Sequence, residues 1–581
     1  MNSRNGESPL NGVSTAAFLP RLGRVKPSEF GFVYASVVVS RFRPSEREEV
    51  LETGAEPEST IFGRMKTPAA LLAVIVLATG LRFYHLGAQS LWGDELSSWR
   101  LSGHSVLEAV RGAYVDTQPP GYYALLYLDR QIFGESAWAL RLPSAVAGVL
   151  SVPAIFLLGR RLYSDREGLA AALLAAVSWA PVYYSQEARA YSLLLFLSIL
   201  TVYFWWGMLQ ELRTKGELPL PDTAGYVVSA VLCAYVHYFG LLLVALEGTA
   251  LLVLARRRVV RALVPYVPVA LAYVPWLPFL AHQFANNRGA VSWMPKPEAG
   301  FFAQYLTFAF GGSLLVALVG WGLICYLPLG WWERGERRRI PPQGSLLGAW
   351  LLVPFTVTSV FSALSSTSLL TERNLIGSLP AAYLLVARAL VRITSGPGRS
   401  FVRPAAVLCF GGLLLGELIF GVHYYTAPQK QQLREAVSYA VRASKNHPRS
   451  LLAYCSSADL SYYLKRHPSV GSTALDVCRT SPGALRGIVR HGGYRYLVYL
   501  NNARGRHSPH LLPYLRSFYT PLYEKLFYGG SPLYESVHVA GEFSKSRVIR
   551  KHGGPEVYVF RTRVPGHTSK TSNAGGASVT R

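Results

Sequence analysis

The sequence predicts an all-α polytopic membrane protein of about eleven transmembrane helices, followed by a small extracytoplasmic α/β domain at its C-terminal end. Of the 581 residues, 50% are apolar and only 16% are charged, well below the roughly 25% charged residues of soluble domains. A membrane crossing needs roughly 17–25 residues. Apolar runs that approach this length begin near residues 67, 142, 168, 191, 225, 239, 262, 313, 345, 374 and 404.

The basic residues support one orientation of these spans. The net charge is +25, but the positive residues form short clusters between apolar runs and not one continuous stripe, so a nucleic-acid partner is not expected. The positive-inside rule assigns the clustered side to the cytoplasm. We therefore expect a plasma-membrane protein in contact with membrane lipids. The clusters are Arg64/Lys66, Arg160/Arg161, Arg213/Lys215, Arg256/Arg257/Arg258, Arg334/Arg337/Arg338/Arg339 and Arg392/Arg403.

Two short segments need separate interpretation. The run from Tyr226 to Ala255 has basic clusters at both ends, so we predict a tight helical hairpin whose turn, at His237 and Tyr238, lies outside. The segment from Gly121 to Phe133 is apolar but short and contains an acidic and a basic residue. An interfacial helix fits it better than a span.

The expected domain organisation follows from this topology. Residues 1–63 lack a sustained period and are expected to form a disordered cytoplasmic tail, although Met65 is an alternative start of translation. The transmembrane domain is predicted at 64–425, with its first outer loop at 84–141. Eleven spans that start inside place residues 426–565 outside, where strand-like runs alternate with amphipathic stretches. Residues 566–581 are expected to be a second disordered tail.

Two of the five cysteines, Cys455 and Cys478, lie in the predicted outer domain. If that domain is extracytoplasmic, they can form a disulfide, and the sequence leaves this open. No CxxC or HExxH spacing occurs, so a structural zinc site is not expected.

Charged residues recur at the outer ends of the spans. The first outer loop contains the adjacent carboxylates Asp94 and Glu95, the second contains Glu187 and Arg189, and a third contains Arg373 after Glu372. Acidic residues also favour the first turn of a helix, and charges at the membrane edge also form structural ion pairs. Taken together, however, a carboxylate can remove a hydroxyl proton and an arginine fork can hold a phosphate.

The order of these motifs resembles a known family. Trp92-x-Asp94-Glu95 is followed by Pro-Pro-x-Tyr-Tyr, Arg141-Leu-Pro-Ser144, Tyr-Ser-Gln-Glu-Ala-Arg-x-Tyr191 and a later Glu-Arg-Asn before Leu-Pro. This pattern resembles the family 39 and related GT-C glycosyltransferases, which include protein O-mannosyltransferases and the lipid A aminoarabinose transferase. The resemblance covers roughly residues 67–440. It implies a polyprenyl-phosphate-linked sugar donor, inversion at the anomeric carbon and chemistry on the extracytoplasmic side.

The resemblance also implies roles for single residues. Asp94 would be the catalytic base, and Glu95 would support it or bind the acceptor or a metal. Arg189 and Tyr191 would contact the carrier phosphate, with Arg373 as a second phosphate ligand. Further candidates for the catalytic cavity are Glu187, Gln118, Tyr122, His237 and Tyr238.

Cofactor, acceptor and sugar are not determined by the motifs. Where the aminoarabinose transferase has an acidic and a basic residue before its Pro-Pro, this chain has Thr117 and Gln118, which weakens any expectation of the same metal site or sugar. A divalent cation is left open, with His237 as a metal ligand or an interface residue. The acceptor is a protein, a lipid or a glycan. The alternatives to an enzyme are a multi-pass transporter or flippase of envelope precursors, and a structural component of an envelope assembly.

Overall fold

The computed structural model describes most of the chain in separate segments. Residues 1–60 and 566–581, which include nearly all of the predicted N-terminal tail and the whole predicted C-terminal tail, lie outside the described residues, as do the basic positions at 256–257 and 334–339. The described segments are 61–114, 116–255, 258–286, 294, 296–333, 341–394, 402–456, 458–471, 473–502, 511–527 and 554–562.

The first part of the described chain is helical. Its N-terminal half contains α1 (Ile61–Phe83), α2 (Gly93–Leu101), α3 (Val106–Tyr114), α4 (Gly121–Phe133), α5 (Ala137–Leu162), α6 (Asp165–Val177), α7 (Trp179–Ser185), α8 (Tyr191–Thr214), α9 (Leu220–Val236) and α10 (Tyr238–Ala255). It continues with α11 (Val259–Leu263), α12 (Tyr266–Tyr273), α13 (Leu277–Asn286), α14 (Ala299–Phe308), α15 (Leu314–Glu333), α16 (Pro342–Leu364), α17 (Leu379–Ile393) and α18 (Val402–Gly416). Short 3-10 turns at Val274–Trp276 and Glu372–Ser378 precede α13 and α17, and a π turn at Glu417–Gly421 follows α18.

Apolar helices occur at every predicted start of a span. Among the described residues, seven are long and apolar enough to cross a membrane, and the pair α6 and α7, bent by 59°, makes an eighth if it forms one span. Three shorter apolar helices coincide with the remaining predicted starts: Thr67–Phe83, Leu220–Val236 and Leu314–Pro328. The chain is thus a multi-pass membrane protein, and the count of about eleven spans stays a prediction. The seven helices that are long and apolar enough to cross a membrane are Ala137–Leu162, Tyr191–Thr214, Tyr238–Ala255, Val259–Asn286, Pro342–Leu364, Glu372–Ile393 and Val402–Gly421.

The two separately interpreted segments are helical, and their placement relative to the membrane stays a prediction. The chain leaves helical geometry at His237, whose backbone is extended (φ −158°, ψ 142°), and α9 and α10 pack against each other on either side of it. The segment Gly121–Phe133 is one helix, α4. Its Leu128 and Ile132 are exposed, while Arg130 binds the carbonyl oxygens of Trp99 and Gly103. An apolar outer face with an anchored arginine suits a helix lying in the interface.

The C-terminal part contains a five-stranded sheet. Its strands are ordered β2-β1-β3-β5-β4, with β1 parallel to β2 and β3, and with β5 antiparallel to β3 and β4. Cys455, at the end of β1, is joined to Cys478 by a disulfide. The elements are α19 (Leu433–Asn446), β1 (Ser450–Ser456), α20 (Ser461–Leu464), α21 (Pro468–Gly471), β2 (Leu475–Asp476), α22 (Pro482–His491), β3 (Tyr496–Asn502), α23 (Leu511–Phe518), β4 (Thr520–Leu526) and β5 (Glu556–Arg561).

This α/β region lies against the first outer loop. Tyr463 accepts a 2.7 Å hydrogen bond from the backbone N–H of Leu91, and the backbone N–H of Arg434 donates to the hydroxyl of Ser90 at 2.9 Å. Tyr462 packs edge-on against Trp99 of α2. The sheet region therefore covers the loop in which Asp94 and Glu95 lie, while the side of the membrane that it faces stays a prediction.

Candidate active site

Asp94 and Glu95 begin the same helix, α2, but they occupy opposite environments. The side chain of Asp94 is 32% exposed and that of Glu95 is fully buried. Adjacent residues of a helix point about 100° apart, so one can face a cavity while its neighbour faces the core. This difference separates the roles available to the two carboxylates, because only Asp94 can meet an incoming molecule without rearrangement of the fold.

Glu95 lies in a polar network that spans three parts of the chain. Arg141 on α5 binds it through two hydrogen bonds, Nε to Oε1 at 2.7 Å and Nη2 to Oε2 at 2.8 Å. Its Oε1 also accepts from the backbone N–H of Ala188 at 2.9 Å and from Lys430 Nζ at 3.2 Å. Burial alone would raise the pKa of Glu95, but the opposing effect of Arg141 and Lys430 lowers it to about 2. Glu95 is therefore an ionised structural anchor of the site.

Asp94 is paired with the arginine of the third outer loop. Arg373 donates from Nη1 to Asp94 Oδ2 at 2.8 Å, although 279 residues separate the two in sequence. Arg373 belongs to the 3-10 turn Glu372–Ser378, which directly precedes α17. The expectation that distant outer loops bring carboxylates and arginines to one place agrees with this contact.

Tyr191 lies close to both candidate phosphate-binding arginines. The guanidinium carbon of Arg373 is 5.6 Å from the centre of its ring and that of Arg189 is 5.9 Å away. Arg189 also contacts Ser98 on α2, with Nη1 at 3.4 Å from the hydroxyl oxygen. Two guanidinium groups near one aromatic ring and one partly exposed carboxylate form a region in which an anionic group can bind beside a base.

Glu187 is buried beneath this region. Its Oε1 accepts a 3.2 Å hydrogen bond from Trp92 Nε1, and its Oε2 has no partner among the described residues. Burial raises the pKa of Glu187 to about 7. Glu187 does not line the cavity described next, so its position favours an influence on the charge of the site over contact with substrate.

A small cavity joins several of the predicted cavity residues. It is lined by Gln118, Tyr122, Arg189, Tyr191 and His237, together with Pro119, Tyr123, Ala190 and Val236. Of the five predicted cavity candidates, Glu187 and Tyr238 do not line it. Tyr238 accepts a hydrogen bond from Trp276 Nε1 at 3.1 Å and donates one to Gln283. Gly121 allows α4 to reach this position, because a Cβ atom there would lie 2.6 Å from the carbonyl oxygen of Tyr235.

Two residues of the network were not among the predicted site residues. Arg141 belongs to the Arg-Leu-Pro-Ser motif, one of the motifs on which the family resemblance rests, so the sequence offered a signal for it. Lys430 follows the last predicted span within Gln429-Lys430-Gln431-Gln432, and its fold-back onto Glu95 has no local sequence signal. Within the described residues, no three His, Cys, Asp or Glu side chains come together as ligands for a metal ion.

Comparisons with known proteins support the resemblance. Residues 117–282 match the family model described as dolichyl-phosphate-mannose-protein mannosyltransferase. The undecaprenyl phosphate-alpha-4-amino-4-deoxy-L-arabinose arabinosyl transferase 1 of Pseudomonas fluorescens is 25% identical over 348 residues, which are 55% of this chain and 57% of that protein. The corresponding transferase of Pseudomonas savastanoi is 34% identical over 119 residues, which are 19% of this chain and 22% of that protein.

A solved structure is also similar. The crystal structure of ArnT from Cupriavidus metallidurans bound to undecaprenyl phosphate is 13% identical, with a TM-score of 0.49, over 84% of this chain and 97% of that one. The alignments with the two curated relatives span less than two thirds of either relative's length. The family model and these relatives confirm the resemblance of the chain to the GT-C glycosyltransferases of the protein mannosyltransferase and aminoarabinose transferase type.

Proposed function

We propose that the chain is a membrane glycosyltransferase that moves a sugar from a polyprenyl-phosphate carrier to an acceptor hydroxyl, with inversion, on the extracytoplasmic face. The observation that carries this proposal is the contact of Arg373 with Asp94 next to Arg189. It supports the proposal because a partly exposed carboxylate, which can act as a base, lies beside two guanidinium groups, which can bind a phosphate. The matched family and the curated relatives, whose names describe lipid-phosphate sugar transfer, support the same chemistry. They do not favour the transporter alternative.

The proposed reaction is a single displacement. The acceptor hydroxyl oxygen forms a bond to the anomeric carbon as the bond from that carbon to the phosphate oxygen breaks. Asp94 takes the hydroxyl proton, and the polyprenyl phosphate leaves as an anion held by Arg189 and Arg373. A planar guanidinium fork binds phosphate oxygens through two parallel hydrogen bonds, which also orients the leaving group.

Arg373 binds Asp94 directly in this structure. A carrier phosphate that binds Arg373 would compete for this contact and leave Asp94 able to accept a proton. Glu95 does not take part in the displacement, because its carboxylate is buried and bound by Arg141 and Lys430. Its role in the proposal is to fix the start of α2 and therefore the position of Asp94.

Several features support the extracytoplasmic side. The basic clusters assign the opposite side to the cytoplasm, and the disulfide between Cys455 and Cys478 belongs to the region that covers the candidate site. Disulfides persist in oxidising compartments and are rare in the cytosol. The acceptor is proposed as a protein, lipid or cell-envelope glycan, bound between the sheet region and α2.

The test of this function is label transfer by the purified full-length protein. The substrates are a defined set of polyprenyl-phosphate hexoses and pentoses, each labelled in the sugar, incubated with membrane extract as the source of acceptor. Transfer from at least one donor, with release of the unlabelled polyprenyl phosphate, is expected. If no member of the set is bound or consumed, the proposal is wrong.

A further inference from the structure

Two buried polar atoms belong to the wall of the small cavity that Arg189 helps to line. Within the described residues, neither Gln118 Oε1 nor His237 Nε2 has a hydrogen-bond partner, and both side chains line the cavity. His237 is only 1% exposed. Leaving a buried polar atom unpaired is unfavourable, so native proteins almost always satisfy such atoms. These two atoms therefore indicate a bound polar group.

The hydrogen bonds of the fold determine what each atom offers. The backbone N–H of Phe239 donates to His237 Nδ1 at 3.1 Å, so Nδ1 is the acceptor of the ring and the proton resides on Nε2. His237 thus presents an N–H donor to the cavity, and Gln118 presents a carbonyl acceptor. Of the three phenols in the wall, two are already engaged, Tyr122 with Ser144 and Tyr123 with Asp116, and the third belongs to Tyr191 beside Arg189.

The group that matches this pair is a hydroxyl. It donates one hydrogen bond and accepts others, and the cavity has room for a group about the size of one water molecule. An ammonium group has three donors and no acceptor, so it would leave the N–H of His237 unpaired. It would also share the cavity with the guanidinium of Arg189, with no carboxylate among the lining residues.

No neighbouring carboxylate reaches the cavity: Glu187, whose Oε2 has no partner among the described residues, does not line it. Asp94 is bound by Arg373 and Asp116 accepts from Tyr123, and neither lines the cavity. We infer that the cavity formed by Gln118 and His237 is a subsite for one uncharged hydroxyl of the donor sugar, which selects against an amino group at that ring position. The inference rests on the proposed function, because Arg189 of the same wall is the proposed ligand of the carrier phosphate.

The first experiment uses matched donors with the purified full-length protein. For each donor that is active, kcat/KM is compared with that of its monodeoxy and its amino-deoxy analogues, position by position around the ring. A site built around a hydroxyl rejects analogues that lack it strongly. We expect one position at which both replacements lower kcat/KM at least about tenfold. Equal kcat/KM for the hydroxyl, deoxy and amino donors at every position would overturn the subsite.

The second experiment changes the acceptor atom. Gln118→Glu keeps the shape and introduces a negative charge, so the ratio of kcat/KM for the amino donor to that for the hydroxyl donor is expected to rise at least about tenfold. Gln118→Leu is the matched control and should weaken the hydroxyl donor without any gain for the amino donor. Both donors are measured on one preparation, so a partial loss of folded protein cancels in the ratio.

The outcomes separate the two proposals. If Gln118→Glu and Gln118→Leu give the same donor ratio as wild type while transfer continues, the cavity is a structural feature and only the subsite is wrong. If no lipid-phosphate sugar serves as donor, the proposed function fails and the subsite fails with it. His237→Asn, which retains an N–H donor, should preserve more of the preference for the hydroxyl than His237→Leu.

Discussion

Lys430 Nζ lies 3.2 Å from Glu95 Oε1 and 2.6 Å from the carbonyl oxygen of Gln186. The lysine is contributed by the segment that precedes α19, and the carboxylate by the first turn of α2. One buried ammonium group therefore joins the C-terminal region to two of the three predicted outer loops that contribute to the candidate site. Through this contact, a shift of the sheet region would also move Glu95 and its neighbour Asp94.

Lys430→Met is expected to destabilise the protein by about 1–3 kcal/mol, because Glu95 loses one of its charged partners but keeps Arg141. Transfer activity should fall as well, since α2 is less firmly held. Denaturant unfolding in detergent measures the first effect and single-turnover transfer the second. Lys445→Met on α19 is the matched control, because Lys445 is exposed. Equal behaviour of the two variants would show that the buried contact is unimportant.

The buried carboxylate of Glu187 predicts a pH dependence of stability. Its pKa is raised by burial from 4.5 to about 7, so between these values the folded state binds more protons than the unfolded state. The free energy of unfolding contributed by this group is then fully present below pH 4.5 and is lost as the pH rises through about 7. Glu187→Gln removes the titrating group and should flatten this part of the profile.

The measurement for Glu187 is Tm as a function of pH from 4.5 to 8 for both proteins. The difference in Tm between wild type and Glu187→Gln reports the contribution of this carboxyl together with its interaction with Lys430. A difference that does not change with pH would mean that Glu187 titrates normally. The ammonium group of Lys430 titrates at a higher pH than Glu187, because burial lowers its pKa only to about 8.

Arg189→Lys is expected to weaken donor binding by at least about tenfold, because lysine keeps the charge but lacks the planar fork that grips two phosphate oxygens. Arg373→Lys should do the same and should also loosen Asp94. Binding of a polyprenyl-phosphate sugar to each purified variant measures the effect, with Arg213→Lys as a control in a predicted cytoplasmic cluster. Unchanged binding in both Arg189→Lys and Arg189→Ala would leave the phosphate role to Arg373 alone.

The disulfide predicts behaviour of the sheet region under reduction. A bond that closes a 23-residue separation stabilises a domain by about 2–4 kcal/mol. In the native, unreduced protein, a membrane-impermeant maleimide should fail to label Cys478 until a reductant is added, whereas the buried Cys455 should require unfolding as well. Cys478→Ser should lower the denaturant midpoint of the sheet region. Immediate labelling of Cys478 in protein prepared under oxidising conditions would contradict the bond and remove one support for the extracytoplasmic side.

The sequence predicted local features of this chain better than its long-range contacts. Apolar runs determine where helices form, so all expected starts of spans coincide with apolar helices, and the hairpin at His237 follows from basic clusters on both sides of it. Asp94 and Arg373 are 279 residues apart in sequence, so their contact depends on how the helices pack. Residue order alone indicates that they face one side of the membrane, and not which pairs meet.

The dependence on packing also explains why the sequence indicated some residues of the candidate site and not the roles of others. Gln118, Tyr122, Arg189, Tyr191 and His237 line one cavity, as motifs at the outer ends of packed helices can indicate. Glu95 looks equivalent to Asp94 in sequence, and only tertiary packing against Arg141 distinguishes the two. Lys430 lies in a polar stretch of ordinary composition, so its burial depends on how the sheet region docks.

The decisive prediction for the proposed mechanism concerns Asp94→Asn. Asparagine keeps the shape of the side chain and can still accept a hydrogen bond from Arg373, but it cannot take the proton of the acceptor hydroxyl. A general base contributes about 10²–10⁴-fold to the rate, so transfer should fall by about that factor while expression and donor binding remain. Single-turnover transfer from a labelled polyprenyl-phosphate sugar measures the rate, and donor binding is measured on the same preparation.

Glu95→Gln is the matched comparison for Asp94→Asn, because it makes the same change at the adjacent residue. It leaves Arg141 and Lys430 buried without their carboxylate, and breaking a buried ion pair in this way costs about 3–5 kcal/mol. Its main effect should therefore appear in the yield and stability of folded protein, with a smaller loss of rate per folded molecule. If Asp94→Asn retains more than about a tenth of the wild-type rate, the loss is smaller than the loss of a general base should cause. Asp94 is then only the ion-pair partner of Arg373. The proton must in that case be accepted by another group at the partly exposed side of α2.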